Sequence, residues 1–361
     1  MDTRATLTEF ALRASRKAAS IVGATAHSTE SRMSWVQASL SHKIDFAMKG
    51  LDCPTAQQYL DGCSRLTRPI KTEETSRQPS IVVLGILDTS AIFGGMATLF
   101  RVAAALAQQM GRPLVVAQTD YEPIFYSNSD DFVAAEVSYL SGKFVPIFNT
   151  SELRKFFATK DYFNASDACF FEPAVELPAI PRSQRPDDPH KLFFYARPGV
   201  ARNLFRTGLA AIDLALGQPE MTGWEVHCAG STEVPEVRFR NGTKLIRHGK
   251  MAAHDYFASL GTYDMCLSPM LAPHPNYPTL EFAMAGVPVV TTRWETKTDL
   301  EHYSGLIRLG APTPEALAER MVEVARMTDI ERATRAQQGN IPTAWDETLA
   351  PAASKLAELL K

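Results

Sequence analysis

The chain has 361 residues, 45% hydrophobic and 21% charged, with a formal net charge of −3; this ordinary globular balance gives no electrostatic reason to expect a nucleic-acid partner. Such a length exceeds what one hydrophobic core usually serves, so two domains and an extension are the default. No run of about 18 apolar residues occurs and the first residues lack a secretory apolar core, while Cys53, Cys63, Cys169, Cys228 and Cys266 form no CxxC pair, as expected of a soluble cytoplasmic protein with free buried thiols.

Residues 1–78 read as a helical N-terminal extension. Leu7, Phe10, Ala11, Ala14, Ala18 and Ile21 share one helical face, with Arg13, Arg16 and Lys17 largely off it. Eleven Lys and Arg stand against eight Asp and Glu over 1–78, and 26 against 32 over the rest. A basic amphipathic segment of this kind, residues 1–25 in particular, could rest on an anionic membrane surface. Its face is mostly alanine and a weak anchor, so packing on the protein's own core or on a second subunit is the preferred expectation. The polar stretch Lys71 to Ser80 reads as a linker.

Residues 79–190 open on Ile81–Leu87, an apolar run suited to a buried parallel strand. Asp88, a Gly94-Gly95 turn, an apolar helix from Met96 to Met110 and a second strand at Leu114–Ala117 follow. Strand, glycine turn and helix begin a Rossmann-like unit, although two glycines fall short of the GxGxxG fingerprint. Residues 191–340 are more regular. Apolar strands at 192–195, 224–228, 245–247, 265–267, 287–292 and 306–309 alternate with helical patterns, the rhythm of a doubly wound sheet. Ligands of such sheets lie at the carboxyl ends of the strands, where Arg197, Gly230, Gly249, Pro269 and His274 fall. A last helix, 345–360, occupies the tail 341–361.

The segment from Pro273 to Val290 carries the most chemistry. Tyr277 precedes a proline and is expected extended, and Pro278 suits a first helical turn. The NH groups of Thr279 and Leu280 would then face an anion at the helix start, with the carboxylate of Glu281 one turn in for sugar hydroxyls. Gly286 ends the helix and Pro288 prevents its continuation before the strand. An anion cradle beside a carboxylate suits a nucleotide diphosphate joined to ribose.

This stretch resembles the donor-binding signature of family 4 glycosyltransferases, whose fold is the two-domain GT-B architecture. With Phe193 to Pro198, Arg202 to Phe205 and Leu271 to Pro275, it resembles in particular the rhamnosyltransferases that extend bacterial rhamnan and S-layer glycans. The resemblance covers roughly 190–350 and is weaker upstream, at Gln118 to Tyr126 and Phe148 to Thr150. It implies an α/β protein with two Rossmann-like, doubly wound domains facing a cleft: 79–190 on the acceptor side, 191–340 binding the nucleotide sugar, and 341–361 bracing the first domain.

By the same resemblance, Arg197 and Arg202 would hold the diphosphate, Arg202 standing where a lysine is usual. Guanidinium groups can grip phosphate oxygens in pairs. Gly249 and Lys250, in the loop 248–251, would hold the base through main-chain groups, and Asn276, Tyr277, Thr279, Leu280 and Glu281 would complete the donor site. Pro273 stands where the family has a second glutamate, so the transferred sugar must be met by other groups, among them His274. Asp88 and Asp120 follow first-domain strands and are candidate bases, with Glu122 nearby. Asp130-Asp131 and Asp187-Asp188 lack DxD spacing and read as solvated charges, so transfer without a metal or other cofactor is expected.

The implied reaction moves a hexose or deoxyhexose, L-rhamnose from dTDP-L-rhamnose, onto a growing glycan or lipid-linked oligosaccharide at the inner face of the plasma membrane. An epimerase or phosphorylase-like enzyme on the same scaffold, or a catalytically silent nucleotide-sugar-binding subunit, are the alternatives. No G-x-S-x-G elbow or P-loop points to hydrolase or ATPase chemistry.

Overall fold

The computed structural model describes residues 81–83, 114–116, 146–160, 169–178 and 189–359, with parts of 121–136. All belong to the portion Ser76–Lys361, which chain contacts separate from residues 1–75. The expected N-terminal amphipathic face, the linker, Asp88, Gly94-Gly95, the helix 96–110, Asp120 and the pair Asp187-Asp188 lie outside the described residues.

In the first half, β1 (Ile81–Val83) pairs in parallel with β2 (Leu114–Val116), and β3 (Ile147–Asn149) with β4 (Cys169–Phe171). Helix α1 (Ser151–Lys160) follows β3 and buries Leu153, Phe156 and Phe157 against Tyr121 and Phe148. Thr150 joins strand to helix at φ 107°, a left-handed value uncommon for a β-branched residue. Its hydroxyl accepts the NH of Leu153 at 3.0 Å, which offsets part of that strain.

The second half is one six-stranded, wholly parallel sheet. Its strands are β5 (Lys191–Tyr195), β6 (Glu225–Ala229), β7 (Leu245–Arg247), β8 (Met265–Leu267), β9 (Val289–Thr292) and β10 (Ile307–Gly310), in the order β10-β9-β8-β5-β6-β7. The α/β class and the doubly wound second half are as expected from the sequence. Side-chain alternation along β5 explains why both faces need cover. Leu192 and Phe194 point to one layer with α2 (Phe205–Ala215), while Phe193 points to the opposite layer. Gly208 lets α2 lie close on that first face, since a Cβ there would sit 2.6 Å from the Phe194 ring.

The layer containing Phe193 is completed by α3 (Ala253–Ser259) and α4 (Tyr277–Met284), which supply Tyr256, Leu280, Phe282 and Ala283. On the other face, α5 (Pro314–Ala325) joins α2 through Leu317, Met321 and Val322. Helix α6 (Asp329–Ala336) starts at a capping box between Thr328 and Glu331. Helix α7 (Trp345–Leu359) packs Trp345, Leu349, Ala352 and Ala353 on Cys169 and Phe171 of β4. A second tie between the halves runs through Glu172, whose carboxylate accepts the Ser151 NH at 3.0 Å and the buried Tyr303 hydroxyl. Among the described residues, no helix is long and apolar enough to cross a membrane.

Candidate nucleotide-binding site

Strand β5 begins the second sheet, and its neighbours are β6, the next strand, on one side and β8, the fourth, on the other. Chain order therefore reverses between β5 and β8. The connections leaving their carboxyl ends run to opposite faces and open a crevice, the place where doubly wound sheets hold ligands. Arg197 lies on the β5 connection; Asn276 to Glu281 lie on the β8 connection and the helix it feeds. The two connections are joined where the NH of Leu271 donates to the carbonyl of Arg202 at 2.8 Å.

Gly230 closes the next gap. At the end of β6 it adopts φ 119°, and a Cβ would lie 3.1 Å from the Ala196 carbonyl and 3.3 Å from Cγ of Arg197. Its NH donates to the carbonyl of Gly249 at 3.0 Å, and Gly249 is itself left-handed at φ 68°. The loops after β5, β6 and β7 thus touch in sequence along one edge. Lys250 is exposed beside Gly249. Arg202 stacks its guanidinium 4.3 Å over the half-exposed ring of Phe125, which bridges a first-half segment to the second half.

The start of α4 differs from the expectation in two respects. Tyr277 is already the first helical residue, and the extended residue is Asn276, at φ −84° and ψ 160°. The physical reason is a side-chain cap: Oδ1 of Asn276 accepts the NH of Thr279 at 3.1 Å and its hydroxyl at 2.5 Å. Pro278, with no NH to leave unpaired, is tolerated one position further in. The Thr279 NH is therefore committed to the cap and is not free for an anion. Nδ2 of Asn276 also donates to Oγ of Ser268 at 2.8 Å, fastening the helix start to the end of β8. Thr279 and Leu280 are buried. At the far end Gly286 takes φ 77° as expected.

Glu281 receives the hydroxyl of Tyr256 at 2.7 Å. Burial of the carboxyl outweighs this hydrogen bond and raises its pKa to about 7. The phenol of Tyr256 is pushed well above its ordinary value, by burial first and then by the Glu281 charge. His274 turns Nδ1 to the carbonyl of Pro275 at 2.9 Å. Asp130 is exposed, and among the described residues no three His, Cys, Asp or Glu side chains are grouped to hold a metal ion. Cys169, Cys228 and Cys266 are buried free thiols, and burial raises that of Cys228 to about 11.

Lys297 was not singled out in the sequence. It follows β9 in a tight turn in which Trp294 and Lys297 exchange backbone hydrogen bonds at 3.2 and 2.9 Å across a left-handed Glu295, φ 47°. The lysine is fully buried, and its amine donates to the carbonyls of Met270, 3.1 Å, and His274, 3.5 Å, on the loop leading to α4. In sequence the turn Trp294-Glu295-Thr296-Lys297 has the polar composition of a solvated loop, and nothing in it signals burial.

Comparison with known proteins bears on this half of the chain. Over 203 residues, 56% of the chain, it is 33% identical to the O-antigen biosynthesis protein RfbC of Myxococcus xanthus, and it covers 16% of that relative's length. Among solved structures it is similar to Anabaena Alr3699/HepE in complex with UDP and glucose, at 16% identity and a TM-score of 0.48 over 72% of this chain and 74% of that one. It is also similar to sucrose-phosphate synthase from Thermosynechococcus elongatus, at 14% identity and a TM-score of 0.45 over 71% and 69%. Residues 190–322, the span from β5 through most of α5 that builds the crevice, match the family described as WsaF, C-terminal domain.

Proposed function

We propose that the chain is a nucleotide-sugar-dependent glycosyltransferase of GT-B architecture. In this reading it moves a hexose or deoxyhexose, L-rhamnose from dTDP-L-rhamnose, onto a growing bacterial surface glycan or its lipid-linked precursor. The observation that carries it is that the β5 connection, which holds Arg197 and Arg202, is hydrogen-bonded from Arg202 to Leu271 on the loop leading to α4, at the reversal point of a parallel sheet. Such a point receives a nucleotide, and the charges beside it suit a diphosphate. The WsaF C-terminal match and the O-antigen relative support a surface glycan as product; the sugar rests on the sequence resemblance.

The chemistry required is release of a diphosphate while the sugar carbon becomes oxocarbenium-like. Arg197 and Arg202 meet the growing negative charge with fixed positive charge, a preorganised stabilisation for which the proposal invokes no metal or other cofactor. Glu281 accepts hydrogen bonds from the ribose hydroxyls, and His274 meets the transferred sugar or the phosphate. Asp88 and Asp120 remain the candidate bases for the acceptor hydroxyl, and the acceptor is met at the inner face of the membrane.

A thermal-shift panel of dTDP, UDP, GDP and NAD on the wild type and Glu281→Ala tests the reading. A dTDP-dependent stabilisation lost in the variant is expected. Stabilisation by NAD alone would reject it. Release of free dTDP from a dTDP-sugar only when an acceptor glycan is present separates transfer from epimerisation and from silent binding.

A further inference from the structure

Beside the crevice lies a hydrogen-bonded chain that the proposed reaction has not used. Oε2 of Glu225 is 3.0 Å from Nε2 of His227, and Nδ1 of His227 is 2.9 Å from Nε2 of His248. The two imidazoles are nearly coplanar, 6° apart, as a head-to-head hydrogen bond requires. His227 is buried in mid-strand on β6, with its ring edge-to-face on Tyr263 at 5.6 Å, so it has little freedom to turn.

His248 sits at the end of β7. Its NH donates to the Cys228 carbonyl at 2.8 Å, and the next residue, Gly249, bonds Gly230 against Arg197. The exposed His248 thus stands two loops along the edge from Arg197, about where the base of a nucleotide would lie if its diphosphate is held at Arg197.

The protons in this chain can be counted. A carboxylate only accepts, so His227 Nε2 must carry a hydrogen. If His227 carries no second proton it accepts on Nδ1, and His248 must then donate from Nε2. Neutral His248 is left with a lone pair on Nδ1. Partial desolvation of its ring, first, and then the neighbouring imidazole lower the pKa of His248, which favours this neutral form.

We infer that His248 reads the bound nucleobase by accepting a hydrogen bond on Nδ1 from a ring N–H, in a tautomer imposed by the positioning residues His227 and Glu225. The site then favours bases that carry such a ring N–H, uracil, thymine and guanine. It disfavours cytosine and adenine, whose corresponding ring nitrogen offers a second lone pair. The inference deepens the proposed function and rests on its placing of a nucleotide in the crevice.

Titration calorimetry of the full chain at pH 8 with UDP, CDP, GDP, ADP and inorganic pyrophosphate tests it, with UDP against CDP as the deciding pair because they match in size. The wild type is expected to prefer UDP by at least about tenfold, a ratio equal to about 1.4 kcal/mol. His248→Leu and Glu225→Ala are each expected to bring the ratio below about threefold and to leave pyrophosphate affinity unchanged. Nitrogen-15 NMR of the wild type, which needs no variant to fold, is expected to find His248 protonated on Nε2, and Glu225→Ala to find both tautomers. Equal binding of UDP and CDP, a ratio unmoved in His248→Leu, or His248 protonated on Nδ1 would overturn the inference and leave a nucleotide site standing. Failure of every nucleoside diphosphate to bind would overturn the proposed function with it.

Discussion

The hydroxyl of Tyr256 and the carboxylate of Glu281 meet at 2.7 Å, joining α3 to α4 beneath the loops of the crevice. Tyr256 in turn rests on Phe193 and Phe282, with ring centroids 6.2 and 6.1 Å away. The phenol orients the acid while the apolar layer around it disfavours its charge.

The pH dependence of stability follows from that contact. Burial raises the Glu281 pKa from 4.5 to about 7. Between these values the folded protein holds a proton that the unfolded chain has released, so this group's stabilising contribution is full below pH 4.5 and falls as pH rises to 7. The loss amounts to about 3 kcal/mol at most. Urea unfolding from pH 4.5 to 8 is expected to show this decline and Glu281→Gln to flatten it; an unchanged slope in the variant would assign the decline to other groups.

Gly230→Ala strains a backbone at φ 119° and drives a methyl to 3.1 Å from both the Ala196 carbonyl and the Tyr195 ring. A cost of about 1–3 kcal/mol is expected. Because Cγ of Arg197 is the third contact, at 3.3 Å, diphosphate affinity should fall along with the denaturation midpoint. Calorimetry with pyrophosphate reads the first effect and urea unfolding the second.

Asn276 caps α4 and ties it to Ser268 with the same amide. Asn276→Ala is expected to lower stability by about 1–2 kcal/mol, the range for loss of a good cap. Asn276→Asp keeps an acceptor for Thr279 and for the Ser268 hydroxyl, and so should recover most of it. Equal losses in the two variants would show that the Nδ2 donor, not the cap, is what matters.

Lys297→Met removes the amine that reaches the carbonyls of Met270 and His274. The Met270 carbonyl keeps the Thr292 hydroxyl at 2.8 Å, so the loss should centre on the His274 end of the loop. A decrease of about 1–3 kcal/mol is expected by urea unfolding, together with weaker binding of dTDP, because the same loop leads into α4. Unaltered dTDP affinity would separate the lysine from the site.

Much of the second half is legible in the sequence because its signals are local. Apolar runs bounded by turns mark all six strands to within two residues at each end. Gly286 marks the end of the short helix, since it accepts φ 77° without strain. The first half is less legible. The bounded apolar runs that mark the second sheet single out neither β3 nor β4.

What the sequence by itself determined is the class of the fold, the alternation of strand and helix, and the Gly286 end of α4, all governed by backbone preferences within a few residues. Tertiary structure alone decided that β5 lies between β6 and β8, that Tyr256 reaches Glu281, that Lys297 is buried under the 270–274 loop, and that Glu225, His227 and His248 form one hydrogen-bonded line. Each of these depends on groups distant in the chain meeting where water is excluded. There, the energy of a buried charge or an unmade hydrogen bond is set by the partner that folding brings.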